Sequence, residues 1–405
     1  RYGNRYLERP EAVSLCGPLM PLGREVIGPT ADLHMPAPLR DAAPDAWGRR
    51  VILNEQAGQR GPSADLDLLS EATYLMRSGS NRFGAVDFQA SPTEYVPREH
   101  DATLDQLQQA AELVDAGEPL PPALHAALLS GTVMGGARPK ATIRHGQIDY
   151  LAKFTTSTET FPAVGAEAAS IELARLAGID VPNFRMERAL GKNALLIERF
   201  DRTPTGGRRM AVSALTILQL GEMEARYGSY PEILDKLRVL GDGTPGVGQK
   251  LFERIAFNIA ISNSDDHLRN HAAFWDGSSL SLTPAFDLSP GPRSGETAFQ
   301  SIPYGRLDGS GNQERSSNFA SLVEHASIYD LTRKQALSVV DRVRGAIEDQ
   351  WEEAADKARR AAAERNLLWR NQFLNPAASY GLPARSVPRG EAEGDDRRRF
   401  AVHQG

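Results

Sequence analysis

Residues 253–290 read ERIAFNIAISNSDDHLRNHAAFWDGSSLSLTPAFDLSP and decide how the chain is organised. Leu251, Ile255 and Ile259 recur at helical spacing with Ala256 and Ala260 beside them, which predicts a buried helix. Ser262 to Asn270 then crowds polar and charged groups together. His271–Trp275 and Ser279–Leu282 predict two short strands joined around Asp276-Gly277, a dipeptide favoured in tight hairpins. The apolar segment beyond them delivers Asp287 between Phe286 and Leu288. Carboxylates avoid burial unless they are paired or bind a metal, so a polar loop fed by an apolar helix is costly. Asp265, Asn270 and Asp287 are therefore predicted to converge on one site.

Phosphoryl transfer calls for such a set. One Asp accepts the proton of the attacking hydroxyl, while an Asn and a second Asp hold the magnesium ions that bridge the nucleotide phosphates. Asp265-x-x-x-x-Asn270, followed after a hairpin by Asp287, meets that spacing. Asp266 is a competing register, one residue too close to Asn270. A solvated loop of helix-capping aspartates would carry the same letters, so the decision falls to other segments.

With 405 residues, 41% of them hydrophobic, the chain can bury a large core and is expected to form two or three domains. The single cysteine, Cys16, excludes an internal disulfide framework and is read as a structural thiol in a reducing compartment. No run of about 18 apolar residues and no signal peptide is visible, so a cytoplasmic protein without a membrane span is expected. The net charge of −6 argues against broad nucleic-acid binding by the chain itself.

Residues 1–100, rich in Pro and Gly, are expected to form a small mixed α/β subdomain. Asp45–Gln56 is its clearest helix, with Trp47, Val51 and Leu53 as core candidates. Arg49 and Arg50 read as exposed helix arginines ahead of phosphate ligands. Residues 101–200 are expected to form a β-rich unit. Two helices lead to SGTVMGGARPKA (130–141), whose Gly131, Gly135 and Gly136 precede Arg138 and Lys140. Glycines let backbone N–H groups approach phosphate and Lys140 adds charge, although a flexible turn would look the same. The loop is neither a Walker sequence nor G-x-G-x-x-G. Alternation along the following hairpin sends Tyr150 and Ala152 to one face, and Leu151 and Lys153 to the other. Lys153 resembles the strand lysine that contacts nucleotide phosphates in kinases, with Glu167 of the next helix as its expected partner in preference to Glu172.

Ala194–Ile197 is an unbroken apolar run, as in a central strand, and it gives way to Glu198-Arg199-Phe200. Those three residues read as an adenine-binding hinge or as a plain linker. Residues 201–375 should be a helical lobe, with helices over Val212–Glu222, Tyr230–Leu240 and Gln249–Ser262, and two long ones within Leu331–Ala363. Residues 376–405 are expected to be disordered.

Taken together, GGARPKA (135–141), YLAKF (150–154), EAASIELARLAGIDVP (167–182), LLIERFDR (195–202), NSDDHLRNHAAF (263–274) and LTPAFDLSP (282–290) resemble the HipA-type serine/threonine kinases, toxins of bacterial toxin–antitoxin pairs. The resemblance covers roughly residues 130–290 and implies an α+β, two-lobed, protein-kinase-like fold with ATP between the lobes. It implies Asp265 as catalytic base, Asn270 and Asp287 as Mg2+ ligands, and Lys153 as a phosphate contact. Gly135, Gly136, Lys140 and His267 join the expected nucleotide contacts, with Glu198 and Phe200 at the adenine. The implied substrate is a protein of the translation machinery such as an aminoacyl-tRNA synthetase. The implied partner is a helix-turn-helix antitoxin, through which alone the chain meets operator DNA. Where such toxins carry a self-phosphorylated serine this chain has Val133, which leaves Thr132 as the candidate. A small-molecule phosphotransferase, or a nucleotide-binding regulatory module without turnover, remains the alternative.

Overall fold

The computed structural model describes residues 1–17, 19–30, 33–58, 64–99, 102–129, 138–157, 159–293 and 295–383. Four antiparallel strands, β1 (Lys140–His145), β2 (Ile148–Phe154), β3 (Phe184–Ala189) and β4 (Lys192–Glu198), form a sheet in the order β1-β2-β4-β3. Both faces of its centre are covered, which explains the unbroken apolar run of Ala194–Ile197. Tyr150, Ala152, Phe154, Ala194 and Leu196 pack with Leu107 and Val114 of the helix Leu104–Asp115. Leu195 and Ile197 face the other way, into a core shared with the helix Ala163–Leu176.

Trp47 and Val51, on the helix Ala46–Ala57, belong to the first of these cores. Asp45 caps that helix by accepting from Gly48 N–H at 2.7 Å. The N-terminal region thus packs into the core of the nucleotide lobe. Its described residues contribute helices and one isolated bridge, Cys16 to Met20. Further contacts tie it to the opposite lobe. Buried Asp41 accepts from Ser213 N–H at 2.6 Å and from Ser213 Oγ–H at 2.7 Å. Cys16 sits in the helical lobe's core, where burial reinforced by the charge of Asp41 pushes its thiol up to about 12, as suits a structural cysteine.

The helical lobe is built around Val247–Ala260, whose residues Leu251 to Ala260 are all buried, with Arg333–Lys357 packed across it. The two long helices expected within Leu331–Ala363 are instead one helix of 25 residues, opened by a Thr332/Gln335 capping box, with a short second helix at Ala362–Leu368. Val212–Glu222, read as helical, begins as strand β5 (Ala211–Ser213) and continues as the single turn Ala214–Ile217. Tertiary pairing overrides helix propensity there, because β5 is the third strand beside the expected hairpin β6 (Ala272–Trp275) and β7 (Leu280–Leu282). Gly277 takes φ 104° in the hairpin turn, a conformation open to glycine and strained for other residues. Residues 376–383 are ordered rather than disordered. Pro376–Ser379 forms a 3-10 turn, and Asn318 Nδ2 donates to the carbonyls of Ala377 and Tyr380. Residues 384–405 lie outside the described residues.

Because Trp47 is fully buried in the nucleotide lobe's core, Trp47→Ala is expected to cost ~3–5 kcal/mol. Urea unfolding should show that loss; a shift near zero would mean the N-terminal helix is a separate appendage.

Candidate functional site

Lys153 leaves β2 on the face expected from alternation, opposite Leu195 of β4. Its ammonium donates to both oxygens of Glu167, at 2.7 and 2.8 Å, and to Asp287 Oδ1. A strand, a helix and a loop from the other lobe therefore meet on one cation. Burial alone would lower the Lys153 ammonium, but the charges of Asp287 and Glu167 outweigh it and hold it above its ordinary value. Burial raises the Glu167 carboxyl. It acts in the same direction on Asp287, but there the Lys153 charge and hydrogen bond win, with Lys140 and His267 adding, and hold the group at about 2. Asp287 takes a left-handed backbone, φ 58°, a conformation that Asp tolerates better than most residues. Glu172, the alternative partner, is bound instead by Arg175 and Lys357.

Lys153 and Asp287 line an interlobe cleft together with Asn270, Glu198, Phe200, Leu151 and Phe286. The cleft encloses about 620 Å³, counting the part open to solvent. Phe200 sits among Phe83, Phe274 and Phe286, with ring centroids 5.3–6.2 Å away. The hinge segment is held from below, where Arg199 forks onto Asp201 at 2.9 and 2.6 Å. Asn270 is buried and its Nδ2 donates to the Asp265 carbonyl at 3.3 Å. That leaves Asn270 Oδ1 buried with no hydrogen-bond partner among the described residues, on a side chain that lines the cleft. No group of three or more His, Cys, Asp or Glu suited to a metal occurs among the described residues. Magnesium is ordinarily held by one or two side chains, substrate phosphates and water rather than by a protein cage, so Asp287 with the orphaned Asn270 Oδ1 fits it.

The two aspartates of the loop have opposite fates. Asp265 is exposed. Asp266 is buried, accepting from Tyr230 Oη–H and lying 2.8 Å from His271 Nε2. Asp265 is thus the more accessible of the two carboxylates. From Tyr230 the polar chain continues through Asn258 (3.5 Å) to Asn263 Nδ2 (3.0 Å), which also donates to the Asp287 carbonyl at 3.4 Å. These residues were missed from the sequence. Their signal was available in Asn258, an amide set among Ile255, Phe257, Ile259 and Ala260 of a buried helix.

Two expected nucleotide contacts stand elsewhere. Lys140 is buried and its ammonium donates to Asp45 Oδ2 at 2.8 Å, outside the cleft lining, because a buried ammonium needs a counter-charge and the helix cap supplies it. Its charge still reaches Asp287. His267 lines a second hollow beside Asp265 instead of the cleft. Arg49 is neither free nor a phosphate ligand in waiting, since it forks onto Glu71 at 2.6 Å through both terminal nitrogens. Gly135, Gly136 and Thr132 lie outside the described residues, but Arg138, at the end of their loop, donates to Ser289 Oγ at 3.2 Å beside Asp287.

A β lobe and a helical lobe closing on this ion cluster define a kinase-like, two-lobed α+β fold. Residues 132–351, more than half of the chain, match the HipA-like C-terminal domain, and the chain belongs to that family. Among solved structures, HipA of Shewanella oneidensis MR-1, in a complex with HipB and operator DNA, aligns with a TM-score of 0.60 at 16% identity over 93% of each chain. A Helicobacter pylori proinflammatory kinase, CtkA, aligns with a TM-score of 0.40 at 12% identity over 60% of this chain and 92% of its own. No curated protein matches the chain. Among the described residues, no helix is long and apolar enough to cross a membrane.

Lys153→Met leaves Glu167 and Asp287 facing each other without their cation. Loss of one partner from a buried pair should cost ~3–5 kcal/mol in denaturant unfolding, and a second change, Glu167→Gln, should recover part of it. Folding depresses the Asp287 carboxyl from ~3.9 in the unfolded chain, so its stabilisation is present above that value and is lost as pH falls through about 2. In Lys153→Met its carbon-13 titration midpoint should move upward; an unmoved midpoint would mean that Lys153 is not what holds it down.

Proposed function

We propose that the chain is an ATP- and magnesium-dependent protein Ser/Thr kinase. The observation that carries this is the Lys153–Glu167–Asp287 cluster, with Asn270 Oδ1 unpartnered beside it and Asp265 exposed at the end of the same loop. Lys153, held in place by Glu167, orients the nucleotide phosphates. Asp287 and Asn270 would hold magnesium, which would supply positive charge to the nucleotide phosphates. Asp265 accepts the proton of the attacking hydroxyl, whose oxygen forms the new bond to phosphorus as the bond to the leaving ADP oxygen breaks. The adenine would lie against Phe200; the N–H groups of Glu198 and Arg199 already donate to the carbonyls of Asn183 and Asp149, so its hydrogen bonds would come from the rest of the hinge backbone.

Family membership extends the proposal to the toxin of a toxin–antitoxin pair, acting in the cytoplasm. Its partner would be a helix-turn-helix antitoxin, as HipB accompanies the Shewanella HipA on operator DNA. Its substrate would be a protein of the translation machinery such as an aminoacyl-tRNA synthetase. Thr132 is the candidate for self-phosphorylation.

Asp265→Asn should lower phosphate transfer by ~10²–10⁴-fold, the range of a general base, with nucleotide affinity nearly unchanged. Labelled ATP with a cell lysate gives the rate and calorimetry the affinity; undiminished labelling would remove Asp265 from its role. Asp287→Asn should instead weaken magnesium-dependent nucleotide binding by about tenfold or more, since it removes the ligand carboxylate. Equal calorimetric affinity with and without the substitution would deny it that part.

A further inference from the structure

The helix that carries Glu167, Ala163–Leu176, is buried at every residue from 163 to 174. One side of it packs on the sheet and the other on the long helix Arg333–Lys357 of the helical lobe. In protein kinases the lysine–glutamate pair must be in place for transfer, and the position of the glutamate's helix controls it. Here that position is set from the other lobe. Beyond Lys357 the chain reverses tightly: Arg359 N–H donates to the Asp356 carbonyl and Arg360 N–H to the Ala355 carbonyl, each at 2.9 Å. Arg359 takes φ 54°, a left-handed backbone that glycine usually supplies at a helix end and that strains an arginine. The reversal directs Arg360 back onto the helix of Glu167.

The Arg360 side chain is 5% exposed, and its guanidinium lies on Gly165, where a β-carbon would stand 1.9 Å from Cζ. Glycine is otherwise a poor choice inside a helix, so this close approach accounts for it. Nη1 donates to the Pro162 carbonyl at 3.5 Å, at the entrance of the same helix, and lies 3.4 Å from Glu364. Gly165 and Glu167 stand two residues apart, about 200° around the helix axis. The guanidinium therefore bears on the back of the turn whose front meets Lys153. Two further ties come from the same long helix. Lys357 donates to Glu172 at 2.7 Å, and Arg342 donates to the Ala177 carbonyl and, at 2.6 Å, to Glu253 of the scaffold helix Val247–Ala260. Lys357 is half-exposed, where an ion pair contributes little, and Ala177 lies past the helix's end. Arg360 is the tie nearest to Glu167 and the most deeply buried of the three.

We propose that Arg360, seated on Gly165, is a positioning residue for the Lys153–Glu167 pair and acts on it from the helical lobe. This rests on the kinase reading and adds what keeps its phosphate-orienting lysine in register. A contact between the lobes outside the cleft thereby sets a contact inside it.

Calorimetric titration of the full chain with ATP and Mg2+ tests it. The affinity reads the site, the stoichiometry reads the folded fraction, and labelled ATP with a cell lysate reads transfer. Arg360→Ala should raise the Kd for ATP by about tenfold and lower kcat/KM for ATP by about ten- to a hundredfold, at unchanged stoichiometry. A merely structural loss would instead lower the stoichiometry and leave the affinity of the remaining sites where it was. Gly165→Ala, whose methyl expels the guanidinium, should reproduce the effect. Gly165→Ala with Arg360→Ala should do better than either alone, because the methyl fills the vacated space. Arg360→Lys, which keeps the charge without the planar group, should fall between. In a Glu167→Gln background Arg360→Ala should add less than about twofold, since the seat works through Glu167. Where Arg360→Ala lowers the stoichiometry, Gly165→Ala and Arg360→Lys carry the same comparison. Unchanged ATP affinity and transfer in these variants, or effects of Arg360→Ala and Glu167→Gln that multiply in the double variant, overturn the seat and leave the kinase standing. An unaltered chain that binds no ATP, or binds it without transferring phosphate, overturns the kinase reading, and the positioning role falls with it.

Discussion

One ammonium group holds this molecule in its working arrangement. Lys153 draws together Glu167, from a helix of the nucleotide lobe, and Asp287, from a loop beyond the other lobe's hairpin. Each of these carboxylates would be costly to bury alone, and the two would repel each other without the cation. The lobes are therefore brought to a fixed separation by charge compensation as well as by the aromatic cluster around Phe200. The cleft forms at the place where the compensation is made, so the group that joins the lobes also lines the cleft.

The loop that completes the site is positioned from behind. Asp265 has no side-chain partner given by the structure, yet its neighbour Asp266 is locked by Tyr230 and His271, and its own carbonyl is held by Asn270. A buried polar chain from Asp266 through Tyr230, Asn258 and Asn263 ends on the carbonyl of Asp287. The loop of Asp265 and the segment of Asp287 thus share one scaffold, the helix Val247–Ala260. In a dry interior each link left unsatisfied would cost about 1–3 kcal/mol, which is why such a chain specifies one geometry.

Much of this was legible in the residues. Alternation in YLAKF put Lys153 on the cleft face, the apolar spacing of 251–260 gave the buried helix, and Asp276-Gly277 gave the hairpin that returns Asp287. The choice of Glu167 over Glu172 also follows the helix, because residues five apart point in different directions. Less legible were contacts made across the chain. Lys140 beside a glycine-rich loop reads as a phosphate ligand until Asp45, 95 residues earlier, is seen to claim it. Arg49 reads as exposed until Glu71 is folded against it. Ala211–Ser213 has too few residues to announce a strand, and only its neighbour β6 makes it one.

By itself the sequence implied the two-lobed architecture through the motifs that carry its family resemblance, and it picked out Lys153, Glu167, Asn270 and Asp287 because alternation and spacing are local properties that each stretch carries with it. It left two aspartates competing for one role. Tertiary structure separates them: Asp266 is buried between Tyr230 and His271 while Asp265 stays exposed, and burial depends on neighbours that no local pattern names. The hollow beside Asp265 arises the same way, since its walls come from segments nearly two hundred residues apart and exist only once packing has brought them together.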